Sequence, residues 1–307
     1  PGACRVALMS RSGFAILVGR PNVGKSTLTN ALVGAEVAIT SSRPQTTRHT
    51  IRGVRNVGED QIILVDTPGI HRPRTLLGRR LNDLVLATLT EVDVVVFCLP
   101  ADQKIGPGDR FIAERLADLR RQKLVIAVTK ADLVSRDALA VSLQGAAEFA
   151  SDMGLTVAEY VPVSGVDGSN VEELAHVLAG LMPDGPPLFG DQISDQPERV
   201  VVAELIRQAA LERLHDELPH SVAVDIDEMG PREDRDDLID IYAVLYVERD
   251  SQKPIILGRR GQQLKEIGAQ ARGRIEALLG SKVYLNLHVK VAKDWQNSPG
   301  ALRRLGF

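Results

Sequence analysis

The chain has 307 residues, of which 44% are apolar and 25% charged, and a net charge of −3. At roughly 100–200 residues per domain this length suggests two domains, and the balance excludes disordered and fibrous classes. No apolar stretch approaches the ~18–20 residues of a membrane span, and two cysteines, Cys4 and Cys98, make neither a disulfide framework nor a metal-ligand set.

The opening residues, Pro1 to Ser12, read as a mobile lead-in. The apolar run Val6–Met9 is too short for a signal peptide, so an intracellular chain is expected. Phe14–Val18 is a short β-branched strand. It runs into Gly19-Arg-Pro-Asn-Val-Gly24-Lys25-Ser26, a phosphate-loop pattern that opens the helix Lys25–Leu32. Its glycines let the backbone wrap phosphate oxygens, and the loop N–H groups of Asn22, Val23, Gly24 and Thr27 with the helix N-terminus supply positive charge. Lys25 is expected to reach the β- and γ-phosphates, and Ser26 to ligate Mg²⁺.

Next comes the polar loop Pro44-Gln45-Thr46-Thr47-Arg48. One threonine hydroxyl there, Thr47 in preference to Thr46, completes the Mg²⁺ shell while the γ-phosphate is present. Arg48–Asn56 and Ile62–Val65 form an antiparallel pair across a turn near Gly58. The second strand ends in Asp66-Thr67-Pro68-Gly69. Asp66 would hold Mg²⁺ through water, and the N–H of Gly69 would approach the γ-phosphate. Lys25, Thr47 and Gly69 are thus the candidates for hydrolysis. Ile70 stands where Ras-like proteins carry the glutamine that orients the attacking water, so slow intrinsic hydrolysis is expected.

Helices Leu76–Thr90, Asp109–Leu119, Ala138–Met153 and Val171–Leu181 alternate with strands Val94–Leu99, Leu124–Thr129 and Tyr160–Val163. This alternation predicts a mostly parallel sheet covered on both faces, with Cys98 as core filling. Thr129-Lys130-Ala131-Asp132 follows the second of these strands. The Asp132 carboxylate accepts from guanine N1–H and N2–H₂, which adenine lacks. Lys130 covers the base plane. GTPases usually carry Asn at the position of Thr129. Ser164-Gly165 supplies the last base loop, where many relatives have Ser-Ala. A K⁺ ion held through Asn22 is an optional addition.

Residues 183–197, rich in Pro and Gly, read as a linker between domains at 12–182 and 198–307. Beyond it follow a helix (Glu198–His215), a strand (Ser221–Asp227), an acidic turn (Glu228–Asp237), a strand (Leu238–Glu248), a short helical turn (Pro254–Leu257), a helix (Gln262–Leu279) and a strand (Val283–Val291). Gly258-Arg259-Arg260-Gly261 sits between the helical segments. Its glycines admit a nucleic-acid backbone and its arginines meet phosphates. Ile255, Ile256, Leu264 and Ile267 would line a groove for bases, and Lys265, Lys282, Lys290 and Lys293 extend the basic surface. Residues 251–307 hold 11 Lys and Arg against 3 Asp and Glu, a net of +8, which leaves −11 for the rest. A basic end on an acidic body suits a polyanionic partner. Aromatics are few there, Tyr284 and Trp295, so base stacking is secondary.

The fold expected is α/β, a Ras-like P-loop GTPase domain with a mixed, mostly parallel six-stranded sheet, followed by an α+β KH domain of prokaryotic (type II) topology. GRPNVGKST, PQTTRH, DTPG and the GRRG-centred module, in this order, make the chain resemble the bacterial Era family over essentially its whole length. The resemblance implies a GTPase that binds GTP and GDP with Mg²⁺ and acts in maturation of the small (30S) ribosomal subunit. It further implies binding near the 3′ end of 16S rRNA, cytoplasmic residence and peripheral inner-membrane association; a monomer is expected. A tRNA-modification GTPase shares the Thr-Thr-Arg loop, but no modification domain or C-terminal catalytic cysteine is present. A non-catalytic RNA-binding protein with a vestigial nucleotide site is disfavoured by the intact Lys25, Ser26, Asp66, Gly69 and Asp132.

Overall fold

The computed structural model describes residues 10–40, 48, 50–73, 75–119, 121–190, 197–214 and 221–307. Among these, two units each enclose a core. The first holds residues 10–38, 48–71 and 82–190, and the second holds 39–40, 72–81 and 197–307.

In the first unit, strands β1 (Ser12–Val18), β2 (Ile51–Val57), β3 (Asp60–Asp66), β4 (Val94–Pro100), β5 (Lys123–Thr129) and β6 (Val157–Pro162) form one sheet of order β2-β3-β1-β4-β5-β6. All pairs are parallel except β2 with β3. The helices are α1 (Lys25–Val33), α2 (Leu76–Glu91, of which only the residues from Asn82 onward belong to this unit), α3 (Pro107–Leu116), α4 (Arg136–Asp152) and α5 (Val171–Leu181). Alternate strand residues point to opposite faces. Ala15 and Leu17 therefore pack with Leu28, Leu32, Leu174 and Leu178 of α1 and α5. Ile16 and Val18 pack with Val85, Leu89, Ile112 and Phe149 on the other face. Cys98 is fully buried among the first set, as core filling requires.

The lead-in and linker readings need correction where they are described. Ser12 opens β1, and its N–H donates to the carbonyl of Pro183 at 3.0 Å. The Ser12 hydroxyl donates to Pro186 O at 2.7 Å. The Gln61 amide oxygen accepts from the N–H groups of Leu188 and Phe189 at 2.8 and 2.9 Å. Proline and glycine disrupt helices and ladders, but they leave carbonyls and N–H groups that side chains can bind. Residues 183–189 are thus fastened to the first sheet.

The second unit runs α6 (Glu198–Arg213), β7 (Ala223–Arg232), β8 (Arg235–Val247), α7 (Lys253–Leu257), α8 (Gln262–Leu279), β9 (Lys282–Val291) and α9 (Pro299–Arg304). β8 lies between antiparallel β7 and parallel β9, which is the type II KH topology. The acidic turn expected at Glu228–Asp237 shrinks to Glu233 and Asp234, because both strands continue through it with a bulge at Ile226/Glu228. Its acidic residues occupy a hairpin whose Met229 and Ile239 still pack on the core. One face of the sheet packs on α6 and α8 through Ile206, Ala209, Ile267, Ala271 and Ile275. Part of the other face, Ala223, Val244 and Tyr246, is covered by Trp295, Leu302 and Leu305 from the tail, with Leu77 and Leu81. Trp295 is fully buried and its indole N–H donates to Ser221 O at 2.9 Å, which makes it a core anchor. Helix α9 lacked a periodic signal because it is a single short turn and a half.

Candidate nucleotide site and nucleic-acid interface

Chain order reverses direction across the first sheet at β1, with β3 on one side and β4 on the other. Ligands of open α/β sheets bind at the carboxyl ends of strands at such a switch point. The phosphate loop leaves β1 there. Asn22 (φ 65°) and Gly24 (φ 94°) are left-handed, so successive N–H groups can turn toward one centre. A Cβ on Gly19 would lie 2.9 Å from Cys98 O, and one on Gly69 would lie 2.8 Å from Pro21 N. Both glycines are needed for backbone to approach backbone.

Lys25 is buried, its ammonium donating to the carbonyls of Gly19 and Arg20 at 3.3 and 3.0 Å. Burial pushes its pKa down, and the carboxylate of Asp66 opposes that shift. The Ser26 hydroxyl donates to Asp66 Oδ2 at 2.7 Å, so two hard oxygen ligands converge from α1 and β3. Thr67 is buried and its hydroxyl donates to Leu17 O at 3.0 Å, fixing the start of the Asp66–Gly69 loop. Ile70 is 1% exposed, packed in the apolar core beside Val18, and its N–H donates to Gly19 O at 3.3 Å. No water-orienting side chain comes from that position. Thr47 lies outside the described residues.

Sequence reading missed one constituent of the loop. Arg20 Nε donates to Asp109 Oδ1 at 2.7 Å, and Asp109 is fully buried at the start of α3. Its other oxygen accepts from Gly106 N at 2.8 Å. A carboxylate two residues after a helix-opening proline was the available signal.

The base loops leave β5 and β6. Thr129 is buried, and its hydroxyl donates to Val23 O at 2.6 Å. It therefore ties β5 to the phosphate loop. Lys130 is left-handed (φ 57°) and its ammonium lies 3.3 Å from Asp102. Asp132 is exposed on a short turn of helix at Ala131–Leu133. The Ser164 hydroxyl is buried and accepts from the N–H groups of Val166 and Asp167 at 3.2 and 3.3 Å. Asp167 accepts in turn from Ser169 N at 2.9 Å, and that backbone bond holds its carboxyl below the usual range. A Cβ on Gly165 would lie 2.9 Å from Thr27 O, so glycine there lets the loop close on α1.

In the second unit, Gly258 (φ 67°) leads into Arg259 and Arg260, both exposed, and Gly261 (φ 79°) opens α8. A Cβ on Gly258 would lie 2.5 Å from Gln263 Cβ and 2.9 Å from its backbone N. Arg260 is itself left-handed (φ 53°). Ile255 is 56% exposed and stands beside it, with Lys265, Lys282 and Lys290 exposed. Ile256 and Ile267 are fully buried in the core, so neither lines the groove; helical spacing turns one of each apolar pair inward.

A P-loop nucleotide-binding unit joined to a type II KH unit defines an RNA-associated GTPase class. The family model described as 50S ribosome-binding GTPase matches residues 14–130, and that of the KH domain matches 217–296. The chain is 60% identical over 301 residues to GTPase Era of Nocardioides sp. (strain ATCC BAA-499 / JS614), covering 97% of this chain and 96% of that one. It is 61% identical over 299 residues to GTPase Era of Mycobacterium avium (strain 104), covering 97% and 99%. The chain belongs to the GTPase Era family. It also matches the crystal structure of Era in complex with MgGDPNP and nucleotides 1506-1542 of 16S ribosomal RNA, at TM-score 0.92 and 36% identity over 97% of this chain and 99% of that one. A crystal structure of a point variant of Aquifex aeolicus Era bound to GDP.AlF4- superposes equally well, at TM-score 0.92 and 36% identity, covering 96% and 99%.

Proposed function

We propose that this GTPase is a slow switch that binds small-subunit ribosomal RNA near the 3′ end of 16S rRNA and assists maturation of the 30S subunit. Residues 12–182 form its nucleotide domain and 198–307 its RNA-binding domain; 183–197 join them, the first of these, 183–189, being fastened to the nucleotide domain's sheet. The observation that carries the reading is the convergence of Lys25, Ser26 and Asp66 on one loop in a chain that also presents the Gly258–Gly261 loop. The solved relative with 16S RNA favours the small subunit over the large one named by the nucleotide-domain model.

Residues 22–27 would cradle the phosphates, and Asp132 would read guanine between Lys130 and the Ser164-Gly165 loop. Ser26, with Asp66 through water and Thr47, would hold Mg²⁺, whose charge offsets that developing on the transferred phosphoryl oxygens. The donor set fits: Ser26 and Asp66 offer hard oxygens 2.7 Å apart. Lys25 stabilises the β- and γ-phosphates, and the N–H of Gly69 binds the γ-phosphate. A K⁺ ion at Asn22 would add positive charge beside them. The buried Ile70 leaves the attacking water to another group, hence the slow rate. RNA engages Ile255 and the basic residues 258–261, 265, 282 and 290. The protein works as a cytoplasmic monomer with peripheral membrane association; among the described residues no helix is long and apolar enough to cross a membrane.

The test is binding of the GTP-loaded and GDP-loaded protein to a short 16S 3′-end RNA against a scrambled control. Preference for the 16S sequence that depends on nucleotide is expected, and equal affinity for both RNAs sinks the assignment. Lys25→Ala is expected to abolish hydrolysis while leaving RNA binding in the nucleotide-free protein intact.

A further inference from the structure

The backbone of residues 19–21 in the phosphate loop serves its neighbours on both sides. The Arg20 carbonyl accepts from the Lys25 ammonium at 3.0 Å. The Gly19 carbonyl accepts from the Ile70 N–H at 3.3 Å. Pro21 abuts Gly69 so closely that a Cβ on that glycine would lie 2.8 Å from Pro21 N and 3.0 Å from its Cα. Residues 19–21 are therefore the shelf on which the Asp66–Gly69 loop rests. Whatever fixes the shelf also fixes where the Gly69 N–H stands.

The fastening of the shelf is the Arg20 side chain, which runs to the start of α3. Its Nε donates to Asp109 Oδ1 at 2.7 Å, and its Nη2 donates to Gln103 Oε1 at 3.3 Å. A helix N-terminus is the positive end of the helix and repels a guanidinium. The first turn of α3 is nevertheless shaped to receive one. Asp109 stands at the third helical position, and its Oδ2 accepts from the Gly106 N–H at 2.8 Å. Gly108 leaves room for the stem, since a Cβ there would lie 2.6 Å from Arg20 Cδ and 3.1 Å from its Cγ.

This pair is not an ordinary surface ion pair, which contributes little. The Asp109 side chain is 0% exposed and that of Arg20 26%. Burying a carboxylate costs stability that an apolar residue in the same place would not. The geometry that the pair imposes accounts for it better than the energy it adds.

We propose that Asp109, acting through Arg20, is a positioning residue for GTP, holding residues 19–21 where the Gly69 N–H meets the γ-phosphate. The proposal rests on the reading of Gly69 as that contact. The remaining phosphates of GDP belong to the N–H groups of residues 22–27, beyond the anchored segment. The pair therefore acts on GTP binding and on hydrolysis more than on GDP.

The experiment uses three variants of the full chain. Asp109→Asn keeps the size and an acceptor for Gly106 but removes the charge that draws the guanidinium. Arg20→Met keeps the stem but leaves a buried charge unpaired, so it can also loosen the fold. Arg20→Met with Asp109→Asn removes both charges. Titration gives the affinities for GDP and for GDPNP, a non-hydrolysable GTP analogue. Single-turnover hydrolysis and the unfolding temperature of the nucleotide-free protein are measured beside them. Asp109→Asn is expected to weaken GDPNP roughly tenfold relative to GDP and to slow hydrolysis by up to about a hundredfold, the cost of a small misplacement of a reacting group. The double variant should lose no more than Asp109→Asn, because both break one link. An equal loss of GDP and GDPNP, with a lower unfolding temperature, makes the pair merely structural and overturns the proposal. Parental affinities and rate in Asp109→Asn overturn it too, as do single effects that add in the double variant. Gly69→Ala separates the two layers of the argument. If it leaves the ratio of GDPNP to GDP affinity at the parent's value, the γ-phosphate reading of Gly69 fails and the proposal with it. A changed ratio there beside an unchanged one in Asp109→Asn sinks the positioning role alone.

Discussion

Thr129 replaces the asparagine usual in GTPases, and the structure gives the replacement work of its own. Its hydroxyl satisfies a carbonyl of the phosphate loop that has little access to water. Thr129→Val keeps the shape and removes the donor. Leaving that acceptor unsatisfied costs about 1–3 kcal/mol, so the variant should unfold at lower temperature and bind GDP more weakly, whereas Thr129→Ser should restore both. Calorimetry and nucleotide titration check it. Cys98 offers a pH test at the same scale. Burial pushes its thiol from the ordinary 9.0 up to about 12, with Lys25 opposing. The fold therefore keeps a proton that an unfolded chain releases, and this contribution to stability is present below pH 9 and is lost as pH rises toward 12. At pH 8 the buried thiol therefore stays protonated. Iodoacetamide at that pH should leave Cys98 unmodified by peptide mass spectrometry until urea unfolds the protein.

The parallel strands were legible in the sequence because each is a short apolar run, and all but β4 lead into a motif that needs a strand tip. Asp66 ends one such run and Asp132 stands three residues beyond another. What was not legible depended on contacts between distant segments. Nothing near Asp109 names Arg20 as its partner, 89 residues away. The hairpin between β7 and β8 was hidden because its charged outward residues look like loop composition, while only Met229 and Ile239 show the inward alternation. Ile256 and Ile255 are indistinguishable by residue type, and only the turn of α7 separates the buried one from the exposed one. The Gly258–Gly261 loop was legible in sequence but not in its reason, which is the 2.5 Å clash any Cβ on Gly258 would make with Gln263. Gly258→Asp adds that clash, a left-handed penalty and a negative charge. It should reduce RNA affinity at least tenfold, an effect of about 1.4 kcal/mol or more, without changing the rate of GTP hydrolysis in the absence of RNA.

The chain concentrates its net positive charge in its last 57 residues. A net of −3 would suggest weak attraction to nucleic acid, yet residues 251–307 alone hold +8. Attraction should therefore be local and strongly screened. Single-stranded RNA binding should weaken with salt by a log–log slope of about −0.7 per phosphate contact. Arg259→Ala with Arg260→Ala should flatten that slope by about 1.4, and an unchanged slope would show that these side chains do not touch phosphate.

The clasp of Gln61 on Leu188 and Phe189, with the Ser12 bonds to Pro183 and Pro186, bears on how the two halves of the gene product can be separated. A stop codon placed after Met182, where the last helix of the nucleotide domain ends, would amputate all of these partners and remove both donors from the amide oxygen of Gln61, which is 2% exposed. A stop after Gly190 would retain them. The short tail that composition marks as a spacer is a buckle of the nucleotide domain, and recombination or domain grafting that treats it as free rope would loosen the sheet it fastens.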